Sequence, residues 1–172
     1  MRKFMLFAGT VAVFAVGAAL PAGADTGATP ATFTLTSGAL SISAPVGPVS
    51  LGSQTVATTD TTMSAPLGVV TVSDQRGGTT SWTASVISGA FTPSVGPADP
   101  ASNLSYAAGP ITASAYVVPT AVNATGLAGE MVVVTANSSG ISTASWNPTI
   151  TVIVPGDFAP GSYGATITHS VA

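Results

Sequence analysis

The chain has 172 residues, 46% of them hydrophobic, with three basic and six acidic side chains, one histidine and no cysteine. That length supports one domain with its own core, and the missing cysteine excludes a disulfide scaffold or a zinc–thiolate site. So few cations cannot neutralise phosphates, which excludes nucleic acid and anionic membrane surfaces as partners.

The chain opens with Arg2 and Lys3, followed by an apolar run from Phe4 to Leu20. Pro21 ends the run, and Ala22-Gly23-Ala24 forms a small-x-small site. Residues 1–24 therefore read as a signal peptide cleaved after Ala24. The run is short for a spanning helix, so no membrane span is expected in the mature protein. Residues 25–30 read as a short flexible segment and residues 31–172 as a single domain. After cleavage Arg76 is the one remaining cation, facing six acids. An exported chain without cysteine points to a bacterial source.

The mature sequence shows period-2 alternation and no amphipathic helix. "TFTLTSGALSISAP" puts Phe33 and Leu35 on one strand face, then Leu40 and Ile42 after a Ser-Gly turn. "PLGVVTVSD" aligns Val70 with Val72, and "SWTASVIS" aligns Trp82, Ala84 and Val86. Between them, Asp74-Gln75-Arg76-Gly77-Gly78 has the chemistry of a salt-bridged tight hairpin. Gly89 to Pro110, rich in Gly and Pro, reads as a long loop or wandering edge. "ITASAYVV" places Ile111, Ala113 and Ala115 together, and the apolar run "MVVVTA" suits a central strand. Trp146, before Asn147-Pro148, reads as a strand-end or edge aromatic. "PTITVIVP" aligns Ile150, Val152 and Val154, and "SYGATITHSV" aligns Tyr163, Ala165, Ile167, His169 and Val171. Many strands separated by turn chemistry predict an all-β, antiparallel, immunoglobulin-like β-sandwich, with serine and threonine hydroxyls solvating its surface.

Two segments carry a family resemblance. "LGVVTVSDQRGGTTSWTASVISGAF" (Leu67 to Phe91) and "ITVIVPGDFAPGSYGATITHSVA" (Ile150 to Ala172) resemble the WxL domain, an exported module of Gram-positive bacteria. The family pattern is a strand, an Asp-x-Arg-Gly turn and a strand with Trp-x-Leu, then a late Gly-x-Tyr turn and a last strand with a second Trp-x-Leu. The first motif here is Trp82-Thr83-Ala84; the second falls at His169-Ser170-Val171, with His in place of Trp. The resemblance implies a secreted, extracellular, cell-wall-associated protein that binds peptidoglycan or another wall polymer non-covalently, with larger surface proteins of the same complex as further partners.

Residues two apart on a strand share a face, so Trp-x-Leu is a strand pattern before it is a binding motif. Trp82 is expected in the core, with an exposed aromatic platform for sugar or peptide as the alternative. Arg76 and Asp74 are expected to order their turn; the alternative has Arg76 gripping an anionic wall group. His169 and Trp146 complete the candidate ligand-binding set. No Gly-x-Ser-x-Gly elbow accompanies the single histidine, and no two acids are paired for glycoside hydrolysis, so the chain reads as a non-enzyme. No cofactor and no metal are expected: calcium at Asp99 or Asp157 lacks clustered oxygen ligands. The reading from a different class is a structural or adhesive surface subunit that self-assembles or binds host or environmental ligands.

Overall fold

The computed structural model describes residue 23 and residues 26–93 and 96–172. The expected signal peptide and its cleavage site lie outside the described residues except for Gly23. The chain divides into two units, Met1–Thr34 and Leu35–Ala172. Of the first, residues 26–34 are irregular and exposed. All strands among the described residues belong to the second.

That second unit is all β. Its strands are β1 (Leu40–Ser43), β2 (Thr61–Pro66), β3 (Val70–Asp74), β4 (Thr80–Ser88), β5 (Thr92–Pro93), β6 (Leu104–Ala107), β7 (Ile111–Ala113), β8 (Val117–Ala121), β9 (Ala124–Thr125), β10 (Met131–Ser138), β11 (Ser142–Trp146), β12 (Thr149–Val154), β13 (Tyr163–Gly164) and β14 (Ile167–Val171). They form an antiparallel β-sandwich, as the alternation and turn chemistry predict. No helix among the described residues is long and apolar enough to cross a membrane.

One layer has the strand order β14-β4-β10-β8. The continuous apolar run lies in β10, a central strand, as expected. A bulge between Val132 and Val134 turns Val133 and Val134 both inward, so two successive residues reach the core where strict alternation would allow one.

The other layer is two four-stranded ladders joined end to end, β1-β3-β11-β7 and β2-β12-β6-β9. Three chain segments run through both: β2 into β3, β6 into β7, and β11 into β12. All three break along one line, at Leu67-Gly68-Val69, Ala108-Gly109-Pro110 and Asn147-Pro148. Gly68 and Gly109 take φ of 99° and 70°, a region that favours glycine. Pro148 has no N–H to give, but its carbonyl accepts from Leu67 N at 2.8 Å, and Asn147 Oδ1 accepts from Gly68 N at 3.0 Å. These bonds carry the layer across its own interruption. Between the layers lies one core that includes Val70, Val72, Trp82, Val86, Leu104, Tyr106, Val134, Trp146 and Ile150.

Five expectations need correction. Thr32–Thr36 forms no strand: Phe33 and Leu35 are each 86% exposed, and β3 takes Leu40–Ser43 as its neighbour instead. The Asp74–Gly78 turn is not a hairpin, because β3 and β4 lie in different layers and the turn carries the chain across the sandwich. Gly89 to Pro110 is not all loop: within it β6 pairs with β12 and buries Leu104 and Tyr106. "ITASAYVV" is two strands, β7 and β8, since Ser114–Tyr116 turns the chain from one layer to the other, with Val117 N donating to Ser114 O at 3.3 Å. Trp146 is the last residue of β11, a strand end as expected, but not at a sheet edge, because β11 is flanked by β3 and β7 and the indole is 2% exposed.

Candidate functional site

The Asp74 turn is closed by its own charges. Arg76 donates from Nε to Asp74 Oδ1 at 2.9 Å and from Nη2 to Asp74 Oδ2 at 3.0 Å, a bidentate pair. The backbone N of Arg76 donates to Asp74 Oδ1, Thr80 Oγ1 donates to Asp74 Oδ2, and Arg76 Nη2 also reaches Ser81 O at 2.8 Å. Gly77 and Gly78, both with positive φ, let the chain reverse tightly enough to bring Thr80 and Ser81 back to these groups. Asp74 is fully buried, and the hydrogen-bonding Arg76 guanidinium holds its carboxyl down at about 2 against burial. The same bond raises the pKa of Arg76. Most of the guanidinium's donors are thereby committed within the turn.

A second polar group spans the sandwich interior. Trp146 Nε1 donates to the Tyr106 hydroxyl at 2.8 Å, and that hydroxyl lies 3.2 Å from His169 Nε2. The hydroxyl has one proton and two lone pairs, so besides accepting from Trp146 it can give its proton to Nε2 or accept from Nε2–H, according to the tautomer of the ring. Burial lowers the His169 pKa, in keeping with a neutral ring, and pushes the Tyr106 phenol up to about 12. His169 Nδ1 is buried without a hydrogen-bond partner. The link joins the layers, since His169 sits on β14 and Tyr106 on β6. Their rings meet edge-on with centroids 5.6 Å apart.

The third feature is a trough under a long strap. Ala44 to Asp60 has no strand and makes no backbone-to-backbone hydrogen bond among the described residues. Beneath it lie two adjoining cavities of about 380 and 270 Å³, sharing Val49, Leu51, Phe91 and Tyr163. The larger has an apolar floor of Met63, Val152 and Val154 and a wall formed by Phe158 and Tyr163, which stack at 5.6 Å. Asp99 also lines it. The smaller ends at His169. Asp99 is buried, paired backbone to backbone with Phe91 in both directions at 2.8 Å, and accepts from Asn103 Nδ2 at 2.7 Å. Burial raises its pKa despite that bond.

The sequence-predicted candidates thus separate. Asp74 and Arg76 form the turn. Trp146 and His169 are joined through Tyr106. Trp82 lies in the core on β4, presenting no open face. Val171 and His169 face Ala84 and Val86 across the β4–β14 ladder, so the strands bearing the two motif positions are neighbours. Sequence reading missed Tyr106 and the cleft aromatics Phe91 and Phe158. The alternation Leu104/Tyr106 in "LSYA" was a usable signal inside an otherwise loop-like stretch; nothing local marks Phe91 and Phe158, which chain folding brings to the cleft. Among the described residues no group of three or more His, Cys, Asp or Glu could hold a metal ion. Comparison with models of known families, with curated proteins and with solved structures returns no match.

Proposed function

We propose that the protein is an exported, non-catalytic surface module, resembling the WxL domain, that holds a cell-wall polymer such as peptidoglycan non-covalently. The observation that carries this reading is the adjacency of β4 and β14: the strand after the Asp-x-Arg-Gly turn and the last strand, which bear the two motif positions of the resemblance, pair directly. His169, the one residue suited to general acid–base work near neutral pH, hydrogen-bonds to a tyrosine and not to an acid or a serine. Binding of this kind is tested by sedimenting the mature protein with insoluble peptidoglycan sacculi. Co-sedimentation that survives high salt is expected. A protein left in the supernatant, or one that hydrolyses a chromogenic glycoside or ester and loses that activity on His169→Ala, would refute the reading.

A self-assembling structural subunit is the second reading, and one observation favours it. Phe33 and Leu35 alternate with threonines in a strand-like pattern, yet both are exposed. Light scattering across a concentration series separates the two: oligomers that disappear on Phe33→Ser/Leu35→Ser, together with no wall binding, would favour assembly.

A further inference from the structure

We propose that the trough beneath the Ala44–Asp60 strap is a binding site for a neutral saccharide. This deepens the wall-polymer reading and rests on it for the choice of sugar polymer, while the site itself rests on the cleft.

Three independent properties of the trough converge. The first is shape: a concave space of about 380 Å³, continuous with one of about 270 Å³, is the size of pockets that enclose small ligands. The second is its chemistry. An apolar floor and the Phe158–Tyr163 wall face a roof bearing the side chains of Ser50, Ser53 and Thr55. A pyranose has the matching character, with C–H faces that pack on aromatic and aliphatic surface and hydroxyls at its rim. The third is charge. Asp99 is the one carboxylate among the described residues lining the trough, burial lowers the pKa of the His169 ring that also lines it, and Arg76 is engaged in its own turn. An anionic ligand would meet a carboxylate and no cation, whereas a hydroxyl-rich neutral ligand finds acceptors at Asp99.

The strap is suited to admitting a ligand, since no backbone-to-backbone hydrogen bond among the described residues holds it and its one bond to the sandwich is from Gly156 N to the Asp60 side chain at its end. The same features argue against the exposed Phe33/Leu35 segment of a second copy as occupant. A strand carrying two large apolar residues would have to bury them against serine and threonine hydroxyls and the Asp99 carboxylate.

The test uses the mature protein with the N-acetylglucosamine tetramer as probe, followed by calorimetry and by the methyl resonance of Met63 on the floor. Saturable binding that shifts the Met63 methyl is expected. Ser53→Trp, which fills the trough from the exposed strap, should abolish binding, and Phe158→Ala should weaken it about tenfold, a typical aromatic contribution. Unchanged thermal melts show that both variants fold. Failure of the tetramer to bind overturns the proposal. So does binding that leaves Met63 unmoved and survives Ser53→Trp, or concentration-dependent assembly through Phe33 that competes with the sugar. Sacculus sedimentation separates this from the wall reading. If wild type and Ser53→Trp pellet equally, the wall reading stands and the cleft proposal falls. If wild type does not pellet but binds the tetramer in the trough, the cleft stands and the wall reading falls.

Discussion

Asp74 accepts four hydrogen bonds, two from the Arg76 side chain, one from its backbone and one from Thr80. Asp74→Ala therefore strands several donors at a buried corner and is expected to destabilise the fold by about 2–3 kcal/mol, read from chemical denaturation. Tyr106→Phe removes the acceptor of a buried indole N–H and the hydrogen-bond partner of His169 Nε2. A loss of about 1–3 kcal/mol is expected, with a changed tryptophan emission spectrum. His169 gives the fold a pH dependence whose sign follows from its environment. Burial lowers its pKa from 6.5 in the folded state, so the unfolded chain binds the proton more readily. Stability contributed by neutral His169 is full above pH 6.5 and falls as pH drops from there toward the lower folded value. Melting temperatures recorded between pH 7 and 5 should show the decline in wild type and a flatter profile in His169→Gln. Asp74 acts at lower pH: its contribution is present above 3.8 and is lost as pH falls toward about 2. At this scale the sequence was informative about Asp74 and Arg76, because ion pair and turn lie within a few residues. It was silent on Tyr106–His169, because that contact joins residues far apart in the chain.

The strands themselves were legible wherever alternation was clean, as in β3, β4, β12 and β14. Alternation alone could not distinguish a strand that finds a partner from one that does not, and Phe33 and Leu35 show the difference. Nor could it tell a break that ends a strand from a break that re-aims one. The Gly and Pro residues of "PLGVV", "AAGPI" and "WNPTI" read as loop punctuation, and the structure uses them to carry three adjacent segments from one ladder into the next. Gly68 and Gly109 both have positive φ, but their surroundings differ. A Cβ at Gly68 would lie 2.8 Å from the Pro45 ring, whereas at Gly109 the nearest atom is Asn147 O at 3.7 Å. Gly109→Ala should cost about 1–2 kcal/mol, from backbone strain alone. Gly68→Ala should cost clearly more and should also disturb the strap, visible as faster proteolysis between Ala44 and Asp60.

Taken whole, the molecule has an ordering that strand-by-strand description hides. Among the described residues no strand pair joins two strands consecutive in the sequence. Thr61 pairs with Val154, Val171 with Ala84, and the turns after β3, β7 and β10 each send the chain to the opposite layer. Such a chain offers no local hairpin from which folding can start. Loop-closure entropy must be met before the first pairing is rewarded, so refolding is expected on the slow, millisecond-to-second side for all-β domains. Stopped-flow fluorescence of the two buried tryptophans measures it. The same wiring orders the pairings: β4 stays without one of its two neighbours until β14 has been made, so this layer stays open while the strands between them are synthesised and closes only once β14 arrives.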